Sequence, residues 1–82
     1  MAYRQLHDIA RDVRRDWQRV NFAAEPYLLA MEALGTMDDS YGADSARSVV
    51  VYFLSNASSW RGPVARSAKS ELRAMLEGNP WT

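Results

Sequence analysis

The sequence predicts an all-α protein, a compact single-domain bundle of about four helices with a buried central third helix. Three observations carry this. Apolar residues recur every three to four positions in several segments, which is the period of an amphipathic helix. Pro26 and Pro63 each stand ahead of such a pattern, where the first turn of a helix accepts a proline. Val49-Val50-Val51-Tyr52-Phe53-Leu54 is an apolar block too short to cross a bilayer, so it must be covered on nearly every side, as a central helix or as an oligomer contact.

The first helix follows from Tyr3, Leu6, Ala10, Val13, Trp17 and Val20, with Ile9 widening the stripe. Its other faces alternate Arg and Asp, and the pairs Asp8–Arg11 and Asp12–Arg15 should add a few tenths of a kcal/mol each. Pro26 opens a second helix that runs roughly to Leu34 and stops at Gly35, with Tyr27 or Leu28, Met31 and Leu34 facing inward. Thr36 to Gly42 has turn chemistry, and Asp44 or Ser45 can cap the third helix, expected over Ser45–Ser58. Valines give that segment strand propensity as well. Length decides for helix, because Ala46, Val50, Phe53, Ala57 and Trp60 keep helical spacing beyond the valines and no second strand-like run exists to pair with them. Gly62 reads as a left-handed terminator and Pro63 as the start of a fourth helix, carrying Val64 or Ala65, Ala68, Leu72 and Met75 or Leu76 inward. Gly78-Asn79-Pro80 ends it, leaving 79–82 as a loose tail in which Trp81 either folds back or hangs free.

With 82 residues the chain makes one domain spanning 1–82, with a thin stability margin. It has no cysteine for a disulfide and one histidine, too few for a zinc cluster, so the core or a partner subunit must hold the fold. No metal or cofactor is expected. Apolar residues at 48% exclude a disordered chain of high charge and low hydrophobicity. Formal charge is zero but zoned. Residues 1–20 hold five Arg against three Asp, residues 21–58 one Arg against five acids, and residues 59–82 four cations against two acids. Complementary zones favour pairing within the molecule or between subunits over a broad nucleic-acid surface. The beginning lacks the apolar stretch of a signal peptide, which points to a cytoplasmic protein without a membrane partner.

Catalytic chemistry is not legible. His7 lies on the polar side of the first helix with no nucleophile motif to serve, and is read as a solvated side chain. Asp38, Asp39 and Asp44 lack the order of a calcium loop, and turn and cap roles account for them. Asn56-Ala57-Ser58 matches a glycosylation acceptor but falls near a helix end. Arg47, alone in the acidic middle, is expected to bridge to Asp44 or to the Asp38-Asp39 loop.

Two binding readings remain. Trp60 and Arg61 stand at the corner between the third and fourth helices, and Trp, Tyr and Arg carry most binding energy at protein interfaces; a corner Trp can equally be a core plug. Arg66, Lys69, Ser70 and Arg73 recur at helical spacing behind a glycine-containing corner, a pattern that mimics a DNA-binding helix-turn-helix. Glu71, Glu77 and the zero net charge weigh against DNA, and a solvated outer face accounts for the pattern without any ligand. The candidate partner-binding residues are therefore Trp60, Arg61, Arg66, Lys69, Ser70 and Arg73, and the apolar third helix adds a homodimer contact compatible with either reading.

Tyr41-Gly42-Ala43-Asp44-Ser45, Val50 to Ala57, Trp60-Arg61-Gly62 and Ala65-Arg66-Ser67-Ala68-Lys69-Ser70-Glu71-Leu72, with Ile9-Ala10, Asp16-Trp17, Pro26-Tyr27-Leu28 and Ala30-Met31 upstream, form a pattern across most of the chain. It resembles small uncharacterised proteins of phages and mobile elements in Gram-positive bacteria. The resemblance implies context only, with no catalytic residues to carry over. Small proteins of such elements often bind host or defence proteins, anti-CRISPR inhibitors included. The leading expectation is a non-enzymatic protein that binds a host or defence protein; the alternative is a small DNA-binding regulator using the basic face of the fourth helix.

Overall fold

The structure, a computed structural model, describes residues 4–78. Four helices and one short hairpin follow in the order α1 (Leu6–Asp16), α2 (Glu25–Met31), β1 (Ser40–Tyr41), β2 (Asp44–Ser45), α3 (Ala46–Ser55) and α4 (Pro63–Glu77). α1 packs against α2 and α4, and α3 against the same two helices, so one apolar core lies among all four.

α1 buries Leu6, Ile9, Ala10 and Val13, and Trp17 closes it at the C-cap. Gln5, at its N-cap, makes no side-chain capping bond. The first-turn N–H groups find partners elsewhere: Leu6 donates to the carbonyl of Gly35 at 2.8 Å and His7 to that of Leu34 at 2.9 Å. The segment after α2 is thereby fixed to the start of α1. α2 carries Pro26 in its first turn, as the sequence predicts, but ends at Met31 rather than Leu34. From there Ala33 and Leu34 donate three residues back, tightening the chain while Leu34 stays buried at 1% exposure.

The expectation of an all-α chain needs correction. Ser40 pairs with Ser45 and Tyr41 with Asp44 in a two-stranded antiparallel ladder. Gly42, at φ 61°, takes the tight turn between them, a conformation that costs residues with a Cβ. The Asp39 carboxylate accepts the N–H groups of Gly35 at 2.8 Å and Thr36 at 3.0 Å, and its carbonyl accepts that of Ala46 at 2.9 Å. Local hydrogen bonding therefore organises this loop, with both strands exposed.

Of Asp44 and Ser45, the two caps that the sequence offers, Ser45 caps α3, its Oγ accepting the Ser48 N–H at 3.2 Å. The helix stops at Ser55 rather than Ser58, and side chains take its last carbonyls: Ser55 Oγ donates to Val51 at 3.0 Å and Asn56 Nδ2 to Tyr52 at 2.8 Å. Ala46, Val50, Phe53, Ala57 and Trp60 are all buried. Within the single chain α3 is not covered on every side, since Val51 and Tyr52 are 45% and 52% exposed. Tyr52 stacks on Tyr27 at 5.4 Å between centroids, a surface pair joining α3 to α2.

Gly62 has a different role from the one predicted. At φ 113° it is the N-cap of α4, separated from the end of α3 by a turn segment, and Pro63 is the first helical residue. Ala65, Ala68, Leu72 and Met75 face the core, whereas Val64 is 40% exposed. Gly78 closes the helix; Pro80 and Trp81 lie outside the described residues, as does Tyr3. Asp8 meets Arg11 at 3.5 Å, but Asp12 pairs with Arg4 at 2.6 Å rather than with Arg15. Arg47 donates to the Leu76 carbonyl at 2.8 Å, near the end of α4, and not to the acidic loop as expected. A helix terminus with unfilled carbonyls offers a cation a closer partner than a loop whose Asp39 already holds two N–H groups.

Candidate functional site

Residues 56–62 join α3 to α4, a connection longer than the three- to four-residue turn of a helix-turn-helix. Trp60 holds it. Its indole is 2% exposed and lies parallel to Trp17, with centroids 5.7 Å apart and planes 10° apart, while Trp17 meets Phe53 edge-on at 6.4 Å. Nε1 of Trp60 donates to Asp16 Oδ2 at 2.8 Å, so the one polar atom of the ring is satisfied. Trp60 therefore does not project as a contact residue; it is the core plug of the two sequence readings.

Above this plug the chain forms an open trough of about 290 Å³, floored by Trp60, Gly62 and Ala65 and walled by Arg61, Arg66, Lys69 and Arg73. The walls follow from helical geometry. Arg66, Lys69 and Arg73 sit at i, i+3 and i+7, one face of α4, and at 1.5 Å per residue they run about 10 Å along the axis. Arg61 joins from the connecting segment.

Lys69 is the most constrained of the four. Its Nζ donates to the Trp60 carbonyl at 2.6 Å and stands 5.8 Å from the Trp60 ring centroid. Partial burial lowers its pKa below the ordinary lysine range, and the positive charges of Arg73 and then Arg61 lower it further. Each cation added to this trough is opposed by those already there.

Among the described residues no acidic side chain lines the trough. Glu71, which the sequence reading set against a basic face, turns to Arg4: Arg4 Nη2 meets Glu71 Oε1 at 2.8 Å and Arg4 Nε meets Oε2 at 3.1 Å, a two-pronged pair with the chain beside α1. Arg4 joins that carboxylate to Asp12, and both hydrogen bonds raise its pKa. Ser70, exposed on α4, does not line the trough. The structure therefore gathers Trp60, Arg61, Arg66, Lys69 and Arg73 and leaves Ser70 out. Sequence reasoning missed Gly62 and Ala65, whose small size leaves the floor open, and Asp16, which anchors the plug. Asp16 lies 44 positions from Trp60, and no local signal links them.

A second groove of about 410 Å³ sets Arg4 and Arg47 beside Asp38, Met37 and Met75, a lining of mixed charge that favours no single ligand sign. His7 sits at the surface with Nδ1 3.3 Å from Asp8. Among the described residues no three His, Cys, Asp or Glu gather in a way that could hold a metal ion, and no helix is long and apolar enough to cross a membrane. No protein family, curated protein or solved structure matches the chain.

Proposed function

We propose that this chain is a non-enzymatic binding module, the product of a phage or mobile element, that grips a partner bearing clustered negative charge through the Arg61, Arg66, Lys69 and Arg73 trough. The observation that supports this is the sign of the lining. Four of the ten cations of a formally neutral chain meet in one concavity, and no carboxylate of the described residues lines it. Such concentration raises the local potential well above what zero net charge suggests. The phage setting rests on the sequence pattern around Trp60-Arg61-Gly62.

An acidic face on a host or defence protein and a nucleic-acid backbone both carry the required charge. Burial of the Trp60 ring removes the aromatic anchor from the host-protein reading and leaves Arg61 as its corner contact. Withdrawal of Glu71 toward Arg4 removes an objection to the nucleic-acid reading.

Immobilised heparin, a general polyanion, tests the shared requirement. Wild-type protein at neutral pH and low salt should be retained and released as salt rises, and Arg66→Glu with Lys69→Glu should flow through while its far-ultraviolet circular dichroism stays helical. Flow-through of the wild type would overturn the proposal.

A further inference from the structure

We propose that the ligand of this trough is the phosphate backbone of duplex nucleic acid. The inference rests on the polyanion-binding reading above and names its partner.

The side chains favour phosphate. Three of the four cations are arginines, whose planar forks match phosphate oxygens two at a time, and Arg66, Lys69 and Arg73 lie in a row along one face of α4. Spread over about 10 Å of α4, Arg66, Lys69 and Arg73 offer one cation each to about three phosphates. An open trough suits a chain of charges passing through, where a single small anion would need closure around it. Lys69 is already held by the Trp60 carbonyl, so one of its three donors is occupied and the ammonium is positioned before any ligand arrives. An incoming phosphate relieves the repulsion that Arg61 and Arg73 exert on it.

Features of the lining separate the duplex from other nucleic acids and other modes of reading. Proteins that hold single strands stack bases on open aromatic faces, and the one aromatic ring that lines the trough among the described residues is covered by Trp17. The lining side chains are donors without an acceptor, so the exocyclic amines of adenine and cytosine find no partner. The same arginine forks fit guanine O6 and N7, so comparing two sequences separates phosphate contact, which tolerates sequence, from guanine readout.

Fluorescence anisotropy with labelled short duplexes tests this, using two unrelated DNA sequences, a matching RNA duplex and each single strand. Both DNA sequences should bind within about threefold of one another, and the salt dependence should have a slope of about −3 for three to four phosphate contacts. Arg66→Ala, an exposed change, should reduce that slope by about one and weaken both sequences alike. Lys69→Ala should do the same, with circular dichroism confirming the fold of each variant. Preference for the DNA or the RNA duplex identifies the source of the backbone, and either supports the proposal. Tighter binding of single strands, indifference to Arg66→Ala, or stronger displacement of heparin by an acidic peptide than by duplex would overturn it. Retention on heparin without duplex binding would overturn this inference alone, whereas loss of both would remove the reading beneath it.

Discussion

The indole Nε1 of Trp60 donates to Asp16 Oδ2 at 2.8 Å, tying the segment that precedes α4 to the last residue of α1. The same Trp60 offers its carbonyl to Lys69, so one residue links the core to the cationic trough. Asp16→Ala strands the indole N–H, a loss of about 1 kcal/mol at a partly buried site. For a domain of this size the melting temperature should fall by about 4–8 °C, followed by far-ultraviolet circular dichroism. Asp16→Asn keeps an acceptor oxygen and should melt close to wild type. Equal melting of the Ala variant would show that water replaces the carboxylate at no cost.

Gly62 should resist substitution for a reason unrelated to space. A Cβ built there meets nothing within 4 Å, yet φ of 113° is a conformation that residues with side chains rarely adopt. Gly62→Ala should cost about 1–3 kcal/mol in chemical denaturation, all of it backbone strain. A change below about 0.5 kcal/mol would mean that the corner relaxes to another conformation, which would also redirect Arg61.

Acid should weaken the fold through two carboxylates held low. Hydrogen bonds from Arg14 keep Glu25 below its ordinary value of 4.5, and the Thr36 and Gly35 N–H groups keep Asp39 below 3.8. A depressed folded-state value means the contribution is complete above the unfolded value and is lost as pH falls through the folded one, so the window lies below about pH 5. Arg14 bridges Glu25 at 3.0 Å and Glu32 at 3.2 Å at the surface, which limits Arg14→Met to a few tenths of a kcal/mol at neutral pH. Urea midpoints of Arg14→Met and Asp39→Asn should approach the wild-type value as pH drops toward 3. A gap that persists unchanged in acid would contradict the linkage.

The two phenylalanines should behave oppositely. Phe53 is fully buried at the centre of the four helices, and Phe53→Ala should cost about 3–5 kcal/mol, enough to unfold a small domain near 37 °C. Phe22, in the link between α1 and α2, is 93% exposed, and Phe22→Ser should shift stability by less than about 0.5 kcal/mol. Both values follow from urea denaturation. A large loss at Phe22 would reveal a contact of the free protein that its exposure does not suggest.

How far the fold and the trough could be read in advance follows from the range of each signal. Ser45 as a cap, Pro26 and Pro63 as helix starts, and the burial of Ala46, Val50, Phe53, Ala57 and Trp60 were legible because capping, proline sterics and helical period act within a few residues. The alignment of Arg66, Lys69 and Arg73 was legible for the same reason. The hairpin was not, because Asp39 closes its loop through side-chain bonds that leave no periodic trace.

By itself, then, the sequence determined where helices begin, which side of each is apolar, and which cations share a face of α4. Tertiary structure alone decided that Glu71 leaves that face for Arg4, 67 positions earlier, that Trp60 is sealed by Trp17 and Asp16, and that Arg47 reaches the end of α4. The reason is geometric. A helix's period sets directions around its own axis, whereas the neighbour that meets each direction depends on how whole helices pack, a property of contacts between residues far apart in the chain.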